Sequence, residues 1–495
     1  MANVNKNWNE TYSLSSTLGT SFKDYRTNYE GYSGPLRDMP NVFNAYNIDT
    51  QLGTPGISHA QLREYAIFAS AELGWRSMVY LTMTARNEWS STLSNTSQMS
   101  YFFPSVGISG IISQMVKLPK TINYLKARIS WADVGSPLPM NLTEQAYTWN
   151  PNSKTWDAPN YRPVNKLYPE KTTSWEAGIN TKLFDNTLSL DATWYLSDTK
   201  KQTFNVQTSA ASGYSSMYIQ TGNVRNWGME FALGYQQHFG LLDWESNLTY
   251  SFNRNKITEL VKDYYDEVTN EHYHLDYLNQ SNVRLVVGGT MGDIYAGSDF
   301  KRDPEGNIWV DPSTGNVVKE NLEQPVKIGS VLPDGNLGWR NSITIKGVNL
   351  TALLTARFGG HVLSVTQSIL DEYGVSKTSA IARDNGGIQV NRGRIDPEKY
   401  YTAVAGREPI AQEYLYSATN VRLQEFSVGY TIPKTWLLNT CSANISLIAR
   451  NLWMIYCKAP FDPESTASTG TYMQGYDYFM QPSMRSIGFS VKLKF

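Results

Sequence analysis

Polar and apolar residues alternate along most of this chain. In "RNWGMEFALGYQ", Trp227, Met229, Phe231, Leu233 and Tyr235 share one face, and Gly228, Glu230, Ala232, Gly234 and Gln236 share the other. The next segment sets Leu242, Trp244, Leu248, Tyr250 and Phe252 against Asp243, Glu245, Asn247, Thr249 and Asn253. The same pattern runs through Trp175–Leu183, Leu188–Leu196, Val348–Phe358 and the final Ile487, Phe489, Val491, Leu493 and Phe495. A period of two predicts antiparallel strands with unlike faces. The spacing predicts strands over 62–73, 76–88, 99–114, 124–134, 173–184, 188–205, 219–238, 242–256, 336–346, 348–359, 419–431, 442–453 and 484–495, with an earlier one near 12–22.

These stretches run to roughly 10–12 residues, longer than the ~5–6 of soluble strands and close to the ~9–11 that cross a bilayer. Trp and Tyr mark the ends of the apolar faces, as Trp227 with Tyr235 and Trp244 with Tyr250 do, which matches paired interfacial girdles. Connections alternate as well. Short turns fall at 74–75, 184–187, 239–241, 346–347 and 432–441. A modest loop at 206–217 and long ones at 135–172, 257–336, 360–420 and 454–484 lie between them. Short turns at one rim and long loops at the other are the habit of membrane barrels, and a soluble sandwich has no reason to keep that parity. The expected fold is therefore all-β, a transmembrane antiparallel barrel with its apolar face towards lipid and its polar face lining a wet lumen. Phe495 is expected at the short-turn, periplasmic rim.

Composition fits. Only 41% of the 495 residues are apolar, yet 14 Trp, 32 Tyr and 17 Phe are present. Few aliphatic residues beside many amphipathic rings suit a boundary rather than a large dry core. A net charge of −1 gives no electrostatic case for nucleic acid, so no nucleic-acid partner is expected. No apolar run reaches the ~18–20 residues of a membrane helix. The opening "MANVNKNWNETYSL" has neither the basic nor the apolar part of a signal peptide. Cys441 and Cys457 fall at opposite ends of one predicted strand. At ~3.3 Å per residue they lie far beyond the ~7 Å reach of a disulfide, so none is expected between them.

Several blocks, in order, resemble the SusC/RagA type of TonB-dependent transporter. They are "YLTMTARNEWSSTL" with "YFFPSVGISGIISQ", "YLKARISWADVGSP", "YPEKTTSWEAGINTKLFDNTLSLDATWY", "NVRNWGMEFALGY", "VRLQEFSVGYTIPK" and "ARNLWMIY…FDPE". The resemblance covers about residues 60–495, with Trp131–Pro137 standing where the family usually has "YG-TGN". It implies an outer-membrane barrel of about 22 strands around an N-terminal plug. It also implies import of an oligosaccharide or peptide, energy passed through TonB, and a SusD-like lipoprotein lid at the cell surface. Roughly fourteen strands are legible, and no TonB box or plug, so residues 1–495 are expected to be the C-terminal barrel portion. Its expected partners are outer-membrane lipid, a SusD-like surface lipoprotein, an N-terminal plug and barrel portion, the TonB complex through that plug, and the substrate. Unpaired edges in hydrocarbon are costly, so the portion is not expected to transport alone. The alternative is a passive porin-like or surface-receptor barrel. A plug in the upstream reading frame distinguishes the two.

No catalytic, metal or cofactor site is expected. "NEHYHLDY" brings Glu271, His272, His274 and Asp276 together without further zinc spacing. "RDPEGNIWVDPSTGN" lacks the calcium-loop pattern and reads as two turns around a hairpin. His238 falls at the short-turn end of its strand, and no nucleophile elbow or P-loop occurs. The expected ligand or lid contacts are outer-loop rings, because rings stack on sugar faces and loops on a rigid scaffold carry recognition. Those rings are Tyr264, Tyr265, Tyr273, Tyr277, Trp309, Tyr472, Tyr476 and Tyr478, with Phe479 beside them.

Overall fold

The computed structural model describes residues 1–495 except 9–10, 50–51, 95, 97, 137, 139, 141, 143–146, 151–152, 160, 163–167, 208–212, 221, 267–270, 281–282 and 469–473. One antiparallel meander dominates. Its strands are β1 (Ala2–Trp8), β2 (Tyr12–Ser33), β3 (Thr54–Trp75), β4 (Val79–Ser90), β5 (Ser100–Ile111), β6 (Ile122–Ser136), β7 (Glu170–Leu183) and β8 (Leu188–Lys200). It continues through β9 (Asn223–Phe239), β10 (Leu242–Glu259), β11 (Gly335–Ile345), β12 (Val348–Phe358), β13 (Asn420–Ile432), β14 (Ser442–Cys457) and β15 (Ser486–Lys494). Among the described residues these fifteen strands pair in sequence order, and β1 and β15 are the two edges. The sequence pattern located fourteen of them and missed β1. Residues 2–8 carry three asparagines and a lysine, so no apolar face announces the strand.

Cross-strand register keeps unlike residues on unlike faces. One row runs Ile179, Ala192, Phe231, Tyr250, Leu337, Ala356 across β7 to β12. The neighbouring row on the opposite face runs Gly178, Thr193, Glu230, Ser251, Asn336, Arg357. Neither face is covered. Trp227 is 42% exposed and Leu233 38%, while Glu230 and Gln236 on the other side are exposed too. Ala66, Ala356, Ala443 and Ala449, buried apolar residues within the strands, are small. The large buried side chains lie at the long-loop end, in three clusters built around Leu285, Val404 and Leu93. A soluble sandwich would bury its apolar strand faces against a second sheet. Here the sheet is one layer thick.

Two aromatic borders frame the apolar face. Trp131, Trp175 and Trp227 lie towards the long loops. Tyr235 and Trp244, with ring centroids 5.0 Å apart, lie towards the short turns. Trp227 and Tyr235 are eight residues apart, ~26 Å along the strand, comparable to the ~25 Å apolar band of a membrane barrel. On the polar face, Arg128 donates to both carboxylate oxygens of Asp191 at 2.9 and 3.3 Å, and Asn180 donates to the same carboxylate at 2.9 Å. A hollow of about 430 Å³ opens there, lined by Glu72, Thr82, Ser105, Lys126, Arg128 and Glu176.

Loop parity holds along most of the sheet, the exception being residues 91–99 at the long-loop end, which at nine residues are no longer than 433–441 at the short end. The short end has residues 76–78, 184–187, 240–241, 346–347 and 433–441, plus 112–121 with a single helical turn at Ile112–Met115. Lys346 and Gly347, at φ 48° and 87°, make a two-residue turn that needs left-handed backbone at both positions. Cys441 precedes the first residue of β14 and Cys457 is its last; both are free. Under non-reducing denaturation the chain should titrate two thiols and show no internal cross-link; a compact non-reduced species would contradict the β14 register.

Candidate functional site

The long-loop end carries small folded lobes. Residues 260–334 form a hairpin of Val261–Asp266 with Glu271–Leu275, then a four-stranded sheet of Tyr277–Gln280, Val283–Val286, Asp293–Phe300 and Lys319–Ser330. Residues 359–419 carry three helices, α1 (Val365–Glu372), α2 (Lys377–Asp384) and α3 (Pro397–Val404). The alternation pattern alone predicts a loop here. Its helical signals are short and local. Ser364, Ser376 and Asp396 each accept a hydrogen bond from a backbone N–H of the first turn, and Pro397 starts α3.

Buried polar groups lock this lobe. Asp371, at the end of α1, accepts hydrogen bonds from Gln367 at 2.9 Å and from Ser376, and burial pushes its carboxyl above the usual carboxylate range. Burial also pushes the Tyr401 and Tyr416 phenols up to about 12, with the charges of Asp371 and Glu413 adding to it. A folded-state pKa above the unfolded value gives stability that is complete below pH ~10 and is lost as pH rises towards 12. Limited proteolysis between pH 9 and 12 should therefore open residues 359–419 before the sheet. Simultaneous loss of both would contradict an independent lobe.

The predicted rings separate into local groups. Tyr265 packs on His272 with centroids 5.0 Å apart. Tyr277 carries the Arg284 guanidinium 3.5 Å above its ring centre, and Lys301 lies 5.8 Å from that of Trp309. Tyr476 and Tyr478 stack at 6.3 Å, and Phe479 meets Tyr478 edge-on at 5.4 Å. These last three are stitched to the helical lobe. Leu363 pairs with Tyr476, Ser364 donates to Asp477 at 2.5 Å, and the Phe479 N–H donates to Thr366 at 2.6 Å. Tyr476 packs inward against the cluster that holds Tyr400 and Tyr401, while Tyr478 and Phe479 stay exposed. Tyr264 and Tyr273 face each other in hairpin register, with side chains outside the described set, and Tyr472 lies outside the described residues.

The discounted motifs have ordinary environments. His272 pairs with Asp263, and His274 with Asp276 at 3.0 Å. Among the described residues no cluster of His, Cys, Asp or Glu is arranged to hold a metal. Residues 302–316 form two turns, closed by Gly306 N–H to Asp303 and Gly315 N–H to Asp311. Side-chain hydrogen bonds from Asn307 and Ser313 hold these two carboxyls below their usual range.

Sequence reasoning missed a clamp. Arg422 of β13 is 6% exposed and pairs with Asp462, 8% exposed, at 2.9 Å and with Glu464 at 3.2 Å. It ties the last long loop to the barrel wall beside a cavity of about 340 Å³ that includes Trp453, Phe461 and Arg485. Forty residues separate the partners, so the only local signal was an arginine set between Val421 and Leu423 at a strand end.

Known proteins give a consistent picture. Residues 2–357 match the family described as TonB dependent receptor-like, beta-barrel. Two proteins of Formosa agariphila are similar. TonB-dependent receptor P3 is 24% identical, with 87% of this chain and 45% of that protein aligned, and TonB-dependent receptor P26 is 22% identical, with 98% and 52% aligned. The chain thus spans about half the length of the curated relatives it matches. Among solved structures, the RagAB peptide transporter superposes with a TM-score of 0.75 at 18% identity, over 100% of this chain and 54% of that one. The RagAB peptide importer in its open-open state gives 0.76 at 17% identity, with the same coverages. At these identities the likeness is one of fold.

Proposed function

Because this chain belongs to the TonB-dependent receptor β-barrel family of the outer membrane, we propose that it is the C-terminal barrel wall of a SusC-like importer of oligosaccharides or peptides. The single observation that carries the reading is the one-layer sheet. An aromatic-bordered apolar face is turned outward, and a hydrogen-bonded polar face lines a hollow. A wall of this kind separates lipid from a wet path and gives the loops a rigid rim.

In this reading an N-terminal portion supplies the plug and the strands that pair with β1 and β15, since an unpaired edge in hydrocarbon is costly. TonB acts through the plug, and a SusD-like surface lipoprotein closes over the loops. Tyr478, Phe479, Tyr277, Tyr265 and Trp309 are the rings offered to substrate or lid. They suit sugar faces, whereas the structural neighbours named as peptide importers favour peptide.

The test uses the full-length protein in its host outer membrane. Accumulation of labelled oligosaccharide or peptide that stops when the proton gradient is collapsed supports an energised importer. Uptake indifferent to the gradient, with steady conductance across a planar bilayer, would instead make it a passive barrel.

A further inference from the structure

We propose that the outward face of β6–β10, one step beyond the outer tryptophans, binds the phosphate groups of outer-leaflet lipid headgroups. The inference rests on the membrane orientation given above. Cross-strand register aligns Trp131, Trp175, Leu196 and Trp227 as one outward row. The next outward row towards the loops is Asp133, Thr173, Asp198, Arg225, Lys256. One rung further, Lys171 and Lys200 stand directly opposite each other. The apolar wall therefore gives way abruptly to charge at the height where tryptophans anchor to headgroups.

The charges are unevenly presented. Four cations, Lys171, Lys200, Arg225 and Lys256, share the strip with three carboxylates, Asp133, Asp198 and Glu259. Asp133 is tucked in at 8% exposure, held by Lys171 at 2.5 Å and Thr173 at 3.0 Å, while the Lys171 side chain is 58% exposed. Asp198 accepts from two guanidinium nitrogens of Arg225 at 2.7 and 3.0 Å, and again the base is the more exposed partner. Glu259 is engaged by Asn223 at 2.8 Å. The anions are thus spent within the wall, and Lys200 and Lys256 keep exposed ammonium groups with no ion pair among the described residues.

Like charges facing each other across a ladder destabilise it. At a bilayer edge, where water thins and screening weakens, that repulsion is relieved by an anion arriving from the side. A phosphate offers several acceptor oxygens to ammonium and guanidinium groups together. A soluble anion has no reason to concentrate on the outside of the wall, whereas the outer-leaflet headgroups lie against it.

The test takes the full-length protein into nanodiscs of zwitterionic lipid doped with bis-phosphorylated lipid A or with its dephosphorylated form, and counts retained lipid A by native mass spectrometry. Wild type should retain the phosphorylated form at least about fivefold better than the dephosphorylated one. The triple variant Lys171→Gln, Lys200→Gln, Lys256→Gln should lose that preference. Lys200→Arg should keep it, as should Lys346→Gln with Lys434→Gln at the opposite rim. Equal retention of both lipids by wild type, or an undiminished preference in the triple variant, overturns the proposal. So does complete displacement of the lipid by millimolar inorganic phosphate, which would mark a free-anion site. Heat-modifiable migration of each variant reports folding separately; its absence from wild type would count against the membrane reading rather than against this site.

Discussion

Replacing Phe231 with arginine should prevent the barrel from forming stably in a bilayer. Phe231 lies four residues from both Trp227 and Tyr235, midway between the two aromatic borders, and pairs with Ala192 and Tyr250 on the outward face. An arginine at that depth costs ~2–4 kcal/mol in a membrane barrel, a large part of a typical stability. Its neighbour Glu230 points to the hydrated side, opposite Thr193 and Ser251. Glu230→Arg should therefore change stability by no more than about 1 kcal/mol. Urea titration of the full-length protein folded into lipid vesicles, followed by heat-modifiable migration, measures both. Equal tolerance at the two positions would mean that neither side meets hydrocarbon.

The second large effect is expected at the loop clamp. Arg422→Ala leaves the buried Asp462 carboxylate without its cation, a change that typically costs ~3–5 kcal/mol. Asn420, which accepts from the Arg422 Nε at 3.2 Å, loses its donor as well. The damage should stay local, since β13 keeps its ladder to β12 and β14. Protease should then cut within residues 458–485 while the sheet remains folded. Arg422→Met with Asp462→Leu should recover much of the protection, because a matched apolar pair leaves no buried orphan charge, Glu464 being 44% exposed. Acid should mimic the single variant. Burial pushes the Asp462 carboxyl up, but hydrogen bonds from Ser483 and Arg422 outweigh that and hold it below its usual range. The clamp's contribution is therefore present above the ordinary carboxylate pKa and is lost as pH falls through the lower folded value. Resistance of Arg422→Ala to protease would show that the loop is held elsewhere.

Strands whose two faces meet different media were legible in the sequence. Phe231 and Glu230 alternate because one meets lipid and the other water, and this constraint acts on each residue separately. Where the constraint lapses, so does the pattern. β2 and β3 run to Ser33 and Thr54, well beyond the packed rings of Phe22 and Tyr65. Past those rings the outward face carries Asp24, Arg26 and Arg63, so the sequence reading began β3 at residue 62. The helical lobe was illegible for another reason. Its helices are eight residues each, fixed by caps and by burial against Tyr414 and Ile410 rather than by a long amphipathic period. Ring positions were legible as residue types only. That Tyr476 turns inward while Tyr478 and Phe479 face out depends on the pairing with Leu363, which nothing local reveals.

The outward direction of the apolar face is tested most directly by spin labels on β9. With Cys441 and Cys457 first changed to serine, labels at Phe231→Cys and Leu233→Cys are compared with labels at Glu230→Cys and Gln236→Cys in bilayers. Collision with lipid-soluble oxygen should dominate at 231 and 233, and collision with a water-soluble nickel chelate at 230 and 236. The reverse pattern, or exclusion of both agents from 231 and 233, would contradict it.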